Sequence, residues 1–166
     1  MFIKLAHLEE GTHVFTGKDN AESVGLDKEI FSEDVSTKVT VDKRGVNYYL
    51  NIFSSAVGEF CCDRCLKKFT KEIISESKII YIEDITLVGT KDEDEIRYIR
   101  GEEEGIDISE DIRQLILLSI PIKMLCSEKC KGLCPHCGKN LNLGDCGCKS
   151  EIIDPRWEKL KGLKFN

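Results

Sequence analysis

Nine cysteines in a chain of 166 residues are the side chains with the most chemistry to offer. Most fall in pairs. Cys62 and Cys65 stand two residues apart behind an extra Cys61, and Cys134-Pro135-His136-Cys137-Gly138 repeats that spacing with a glycine after it. Cys126 and Cys130 precede this second pair, and Cys146 and Cys148 follow it. Two thiolates separated by two residues can grip one tetrahedral ion from a tight turn, and a second pair must close the site. The glycine lets backbone amides approach the sulfurs. The odd count leaves a thiol over in any disulfide scheme, and in a reducing compartment metal ligation is the better reading.

The spacing predicts one site from Cys134, Cys137, Cys146 and Cys148. Cys126 and Cys130 either replace the last pair or join Cys62 and Cys65 in a second site, which would tie the middle of the chain to its tail. Eight cysteines fill two such sites and leave Cys61, which alternates in direction with Cys62 along a strand and reads as a small buried hydrophobe. Ligand softness and the knuckle form favour zinc, one or two ions per chain, over an iron–sulfur cluster. Four thiolates leave no position for water, so the zinc is structural. Such a cluster carries a charge of about −2, which Lys129, Lys131, Lys139 and Lys149 would partly offset.

Other catalytic patterns are missing. A redox CxxC opens a helix after a strand in a βαβ setting, and neither pair has one. His7 and His13 have no acid–serine or acid–cysteine pattern nearby, and His136 is expected to point out of the knuckle. There is no phosphate loop, dinucleotide fingerprint or HExxH. These readings predict a protein that is not an enzyme.

The net charge is −6 and the pI near 5.2, which argues against nucleic-acid binding driven mainly by counterion release. The charge is uneven. From Glu83 to Asp111 there are twelve acids and three bases, whereas from Lys123 to Lys164 there are nine bases and five acids. The acidic tract reads as a solvated loop. The apolar run from Ile112 to Ile120 is too short to span a bilayer, and the start of the chain lacks the pattern of a signal peptide. A cytoplasmic protein with no membrane partner is expected.

The elements that must position the cysteines are mostly strands. Phe2–Leu8 reads as a first strand and residues 9–34 as loop with short elements. Val35, Thr37, Val39 and Val41 alternate as a strand does, Asp42 to Gly45 form a turn, and Val46–Val57 returns as the second arm of a hairpin. Phe69–Ile82 is a further strand, with a helix as the alternative for its first half, and Ile96–Ile99 is a short strand within a mobile stretch. Asp107 and Glu110 have capping-box spacing, with Ser109 as a competing cap. The helix they open, about 108–120, puts Ile108, Ile112, Leu115 and Ile116 on one face, and Pro121 stops it. Asp154 and Pro155 suit the start of a tail helix carrying Trp157 and Leu160. The expected fold is α+β: an antiparallel β-rich domain, an open sheet or partly open barrel, over 1–121 with one main helix. A cysteine-rich zinc-binding tail follows over 122–166.

Cys62-Asp63-Arg64-Cys65-Leu66, followed by Lys67-Lys68-Phe69, resembles the central CxRCL signature of the YceD family. The tail from Leu125 through Cys134-Pro135-His136-Cys137-Gly138, Cys146-Gly147-Cys148 and Ile153-Asp154-Pro155-Arg156 is similar to that of its Gram-positive and plastid members. The order along the chain also fits, and the extra Cys61 is a departure. The resemblance implies a non-enzymatic factor needed for accumulation or processing of large-subunit (23S) ribosomal RNA. Its partner would be that RNA, a large-subunit ribosomal protein or a processing factor. Arg64, Lys129, Lys131 and Lys139 are the candidate contacts. The competing readings are a zinc-ribbon nucleic-acid-binding regulator, which the acidic charge and the lack of an Arg-rich recognition helix oppose, and a thiol redox enzyme.

Overall fold

The structure, a computed structural model, describes residues 1–82, 96–100 and 104–148. Strands β1 (Phe2–Lys4), β2 (Gly11–Asp19), β3 (Val35–Arg44), β4 (Asn47–Cys61), β5 (Lys68–Ile82), β6 (Ile96–Tyr98) and β7 (Gly105–Asp107) precede helix α1 (Ser109–Leu118). β2 to β5 form an antiparallel meander, β6 joins the edge of β5 in parallel, and β1 pairs with β7 in a small second sheet. Among the described residues, the antiparallel, β-rich fold with one α-helix is as expected, and the short strand expected at Ile96–Ile99 is β6; its parallel pairing with β5 is an addition.

Period-two patterning explains the main sheet. Val35, Val39 and Val41 of β3, Leu50, Ile52 and Ala56 of β4, and Ile73 and Ile79 of β5 face one side and are buried. The register stacks them across strands: Val41 opposite Leu50, Leu50 opposite Ile79, Val39 opposite Ile52. Within this apolar face runs one polar rung, Thr37–Ser54–Ser75, all buried. Its members satisfy one another: the Thr37 and Ser54 hydroxyls are 3.3 Å apart, and Ser75 donates to the Ser54 carbonyl at 3.4 Å.

Helix α1 closes the buried side. Ile108, Ile112 and Ile116 are each fully enclosed, worth about 2 kcal/mol apiece by apolar burial. The expected capping box does not form. Asp107 Oδ1 accepts from the Ser109 amide and hydroxyl at 3.0 and 2.6 Å, while the Glu110 carboxylate turns instead to Arg113 and Gln114. A short acid held by the Ser109 hydroxyl already satisfies the helix start. The helix stops at Leu118, ahead of Pro121. Ala21, Val24, Leu26 and Phe31 from the β2–β3 connection complete the core.

Three expectations are corrected. Residues 9–34 contain a full nine-residue strand, β2. It is an edge strand, no deeper than half-buried along its length, so its apolar alternation is weak. The first strand ends at Lys4, where the chain turns, and His7 takes a φ of 64°. β5 is strand throughout, as expected, and the helix offered as the alternative for its first half does not form, because that half pairs with β4 from Cys61–Lys68 onward. The turn of the β3–β4 hairpin falls on Gly45 and Val46. The tail helix with Trp157 and most of the acidic stretch lie outside the described residues. Among the described residues, no helix is long and apolar enough to cross a membrane.

Candidate metal centres

The β4–β5 hairpin ends in a turn that carries Cys62 and Cys65. The Cys62 amide donates to the Lys67 carbonyl at 2.9 Å, and the Leu66 amide donates back to the Cys62 carbonyl at 2.9 Å. The same two bonds recur in the tail: Cys134 amide to Lys139 carbonyl, and Gly138 amide to Cys134 carbonyl, both 2.9 Å. The residue after the second cysteine is left-handed in both turns, Gly138 at φ 72° and Leu66 at φ 58°. Gly138 takes that conformation freely; Leu66, 68% exposed, takes it against the steric preference of its Cβ.

In both turns the first cysteine is the thiolate anchor. Cys62 is lowered to about 6, chiefly by the Cys126 backbone N–H against the cost of burial, with further N–H donation from Arg64 and Cys65. Cys134 is lowered to about 6 by the backbone N–H groups of Cys137 and His136. Amides aimed at sulfur favour the charged form.

The tail docks on the hairpin tip through the main chain. Asp63 and Met124 bond reciprocally: the Asp63 amide reaches the Met124 carbonyl at 2.8 Å, and the Met124 amide reaches Asp63 Oδ2 at 2.6 Å. The Leu133 amide donates to the Arg64 carbonyl at 3.1 Å. That approach requires Gly132, since a Cβ there would stand 3.0 Å from the Arg64 oxygen with φ at +77°. Arg64 Nη1 donates to the carbonyls of Cys130 and Glu128 at 2.9 and 3.3 Å, so its guanidinium clamps the cysteine loop.

This docking brings Cys126 and Cys130 onto Cys62 and Cys65. The eight sulfurs fall into two groups, Cys62/Cys65/Cys126/Cys130 and Cys134/Cys137/Cys146/Cys148, with all ligand atoms in each group within 4.8 Å of one another. The inner contacts Cys62–Cys130 and Cys65–Cys126 are 3.8 and 3.7 Å. Sulfurs bound at about 2.3 Å to a tetrahedral ion stand about 3.8 Å apart. All nine cysteines are free thiols. Four sulfurs this close cannot all be charged by themselves: Cys126 is pushed up to about 12 by burial and by the Cys62 and Cys65 thiols, and Cys148 to about 12 by Cys137 and Cys146 and then burial. A cation at the centre would supply the missing counter-charge.

The groups differ in setting. Three inner cysteines are buried; in the outer group Cys134 is buried, Cys146 half-buried, and Cys137 and Cys148 exposed. Asn142, which sequence reasoning missed, links the two modules. Its Nδ2 donates to Cys130 Sγ at 3.3 Å and its Oδ1 accepts from the Lys131 amide at 2.9 Å. The Asn142 donation is the chief cause of the lowered Cys130 thiol. The repeated Cys-x-x-Cys-x-Lys, at Cys62–Lys67 and Cys134–Lys139, was the available signal for the matched turns.

Cys61 is exposed at the end of β4 and belongs to neither group, contrary to the buried position expected for it. The alternative in which Cys126 and Cys130 complete the Cys134 site is not the arrangement found. His136 is exposed and outside both groups. Lys129, Lys131 and Lys139 are exposed around the tail module, with Lys139 Nζ donating to the Asp145 carbonyl at 2.8 Å.

An antiparallel sheet whose hairpin tip is stapled to a cysteine-rich tail by one four-sulfur group, with a second such group inside the tail, defines a small class of protein. Residues 54–164 match the family model described as large ribosomal RNA subunit accumulation protein YceD, and the chain belongs to that family. It is 32% identical over 128 residues to uncharacterized proteins of Mycobacterium tuberculosis and Mycobacterium bovis, covering 76% of this chain and 59% of theirs. It is 43% identical over 63 residues to the chloroplastic large ribosomal RNA subunit accumulation protein YCED homolog 1 of Arabidopsis thaliana, covering 38% of this chain and 20% of that one. The chain thus spans about three-fifths of the length of the mycobacterial relatives. No solved structure matches it.

Proposed function

We propose that this chain is a non-enzymatic factor that supports accumulation of large-subunit ribosomal RNA by holding that RNA, with two structural zinc ions shaping the surface it presents. The observation that carries the reading is the gathering of eight thiols into two closed groups of four. A four-thiolate set suits zinc and leaves no coordination position for a reacting water. Cys62, Cys65, Cys126 and Cys130 would hold the inner ion, and Cys134, Cys137, Cys146 and Cys148 the outer one. Their charge is offset by Lys129, Lys131 and Lys139, which are exposed beside the sites and suited to phosphate contact. Arg64 serves the framework through its bonds to the cysteine loop. The cytoplasm, where thiols stay reduced, is the compartment in which such sites persist. The names of the family and of its plant members point to the same RNA.

Elemental analysis should give two zinc ions per purified chain. Filter binding to large-subunit ribosomal RNA should weaken along a salt series. Absent or salt-independent binding would remove the RNA reading and leave a ribosomal protein or a processing factor as partner. Metal-free protein would remove the zinc.

A further inference from the structure

Among the described residues, the helix and loops cover one side of the main sheet. On the other, β4 presents Phe53 at 43% exposure and Tyr49 at 39%. The two lie four residues apart on the same face, about 13 Å along the strand. Beside Phe53 is a hollow of about 490 Å³, lined on this face by Thr16, Lys18, Ser36, Lys38, Phe53 and Ser55. Small hydroxyl side chains next to one large ring leave the depression, and no carboxylate lines it. Lys38 is directly opposite Phe53 across the β3–β4 pair, and Lys78 is opposite Asn51, midway between the two rings.

Charge on this face is arranged unevenly. Arg44 and Lys68 are neutralised by Asp42 and Glu59. Among the described residues, Lys18, Lys38 and Lys78 are in no ion pair. The Glu76 carboxylate beside Phe53 accepts from Asn51 at 3.2 Å. Past Ser55 the surface turns acidic at Glu33, Asp34 and Glu72, and Lys18 stands at this border, lining both hollows. A polyanion is therefore excluded at that end and favoured along the line from Phe53 to Tyr49. The Arg44 guanidinium lies over the Tyr49 ring at 5.3 Å, which offers a second planar stacking surface.

We infer that this open face binds single-stranded RNA: an unpaired base stacks on Phe53 in the hollow, and Lys38 and Lys78 meet the flanking phosphates. The inference rests on the reading that the chain holds RNA, and it names where and in what form. Aromatic platforms with cations beside them suit splayed bases, whose stacking is sequence-tolerant, and give a duplex nothing to stack. A protein partner is the poorer fit, since lysine is depleted from the centres of protein interfaces.

Fluorescence anisotropy of a labelled oligouridylate, against an RNA duplex of equal length, tests this on the full chain. The single strand should bind in preference to the duplex. Phe53→Ala should weaken it roughly ten-fold, within the range for loss of one stacked base, and Phe53→Tyr, which keeps the ring, should bind like the parent. The double variant Lys38→Gln, Lys78→Gln should lower the slope of log affinity against log salt by roughly 1.4. All three substituted side chains are on the open face, and circular dichroism checks that the sheet persists. If these variants bind as the parent does while Lys129→Ala, Lys131→Ala, Lys139→Ala loses binding, the RNA sits on the tail, and the sheet-face inference alone fails. If the parent prefers the duplex, the sheet-face inference also fails. If it binds neither RNA, the RNA reading fails with it.

Discussion

Losing the inner sulfur group should cost the sheet far more than losing the outer one. Cys65 and Cys126, brought to 3.7 Å, are 61 residues apart in the chain, whereas Cys137 and Cys146 are separated by only nine. A cross-link that closes the longer loop removes chain entropy worth about 4 kcal/mol from the unfolded state; the shorter loop gives about 2.5 kcal/mol, all of it within the tail. At this chain length each kcal/mol moves a melting midpoint by about 2–4 °C. Thermal unfolding of zinc-loaded protein followed by circular dichroism should therefore fall by about 8–16 °C in the double variant Cys126→Ser, Cys130→Ser. The variant Cys146→Ser, Cys148→Ser should leave the sheet's transition nearly in place, with hydrogen exchange rising only across the tail. Equal losses from the two variants, or exchange rising through β3 and β4 in the second, would refute the idea that the inner group staples the sheet.

Four further outcomes follow from the same geometry. Leu66→Gly should raise stability by up to about 1 kcal/mol in urea titrations by relieving a left-handed non-glycine residue, and Gly138→Ala should lower it by about as much. Asn142→Ala should weaken the inner ion about ten- to hundred-fold, read as faster transfer of one of two zinc ions to a chromophoric chelator. Tyr81 is raised to about 12 by burial and then by Asp111; its contribution is complete below about pH 10, the phenol's unfolded value, and is lost as pH rises toward 12. Stability should fall over that window in the parent and less in Tyr81→Phe. Asp107 is held low by the Ser109 hydroxyl and amide, so its contribution is present above about pH 4 and lost on acidification, a loss that Asp107→Asn should blunt in acid denaturation curves.

Much of this arrangement was legible in the residues. The β3–β4 hairpin and the helix could be read because their apolar periods are strong and each buries a continuous face. The two groups of four could be framed from spacing, but the partner of Cys62 and Cys65 could not be chosen, since ligands about sixty residues apart meet through the docking of Asp63 on Met124 and of Arg64 on the cysteine loop. β2 escaped notice because an edge strand buries too little to sharpen its alternation. β6 was legible as a short strand, but not its parallel place beside β5, because a parallel neighbour arrives by a long connection that leaves no local turn signal. Asn142 is one amide among polar residues, and nothing in its surroundings in the chain reveals that Cys130 lies against it.

The hydroxyls of Thr37, Ser54 and Ser75 bear on how the strands find their alignment. A strand displaced by one residue would turn its valines to solvent and be rejected at once. Displacement of β3 by two residues escapes that test, because every side chain keeps its face. It would instead set Val35 or Val39 against Ser54 and strand the Thr37 hydroxyl in the core, a loss of about 1–3 kcal/mol for each buried group left without a partner. Three small polar side chains thus penalise the even-numbered slips that apolar alternation alone would let through.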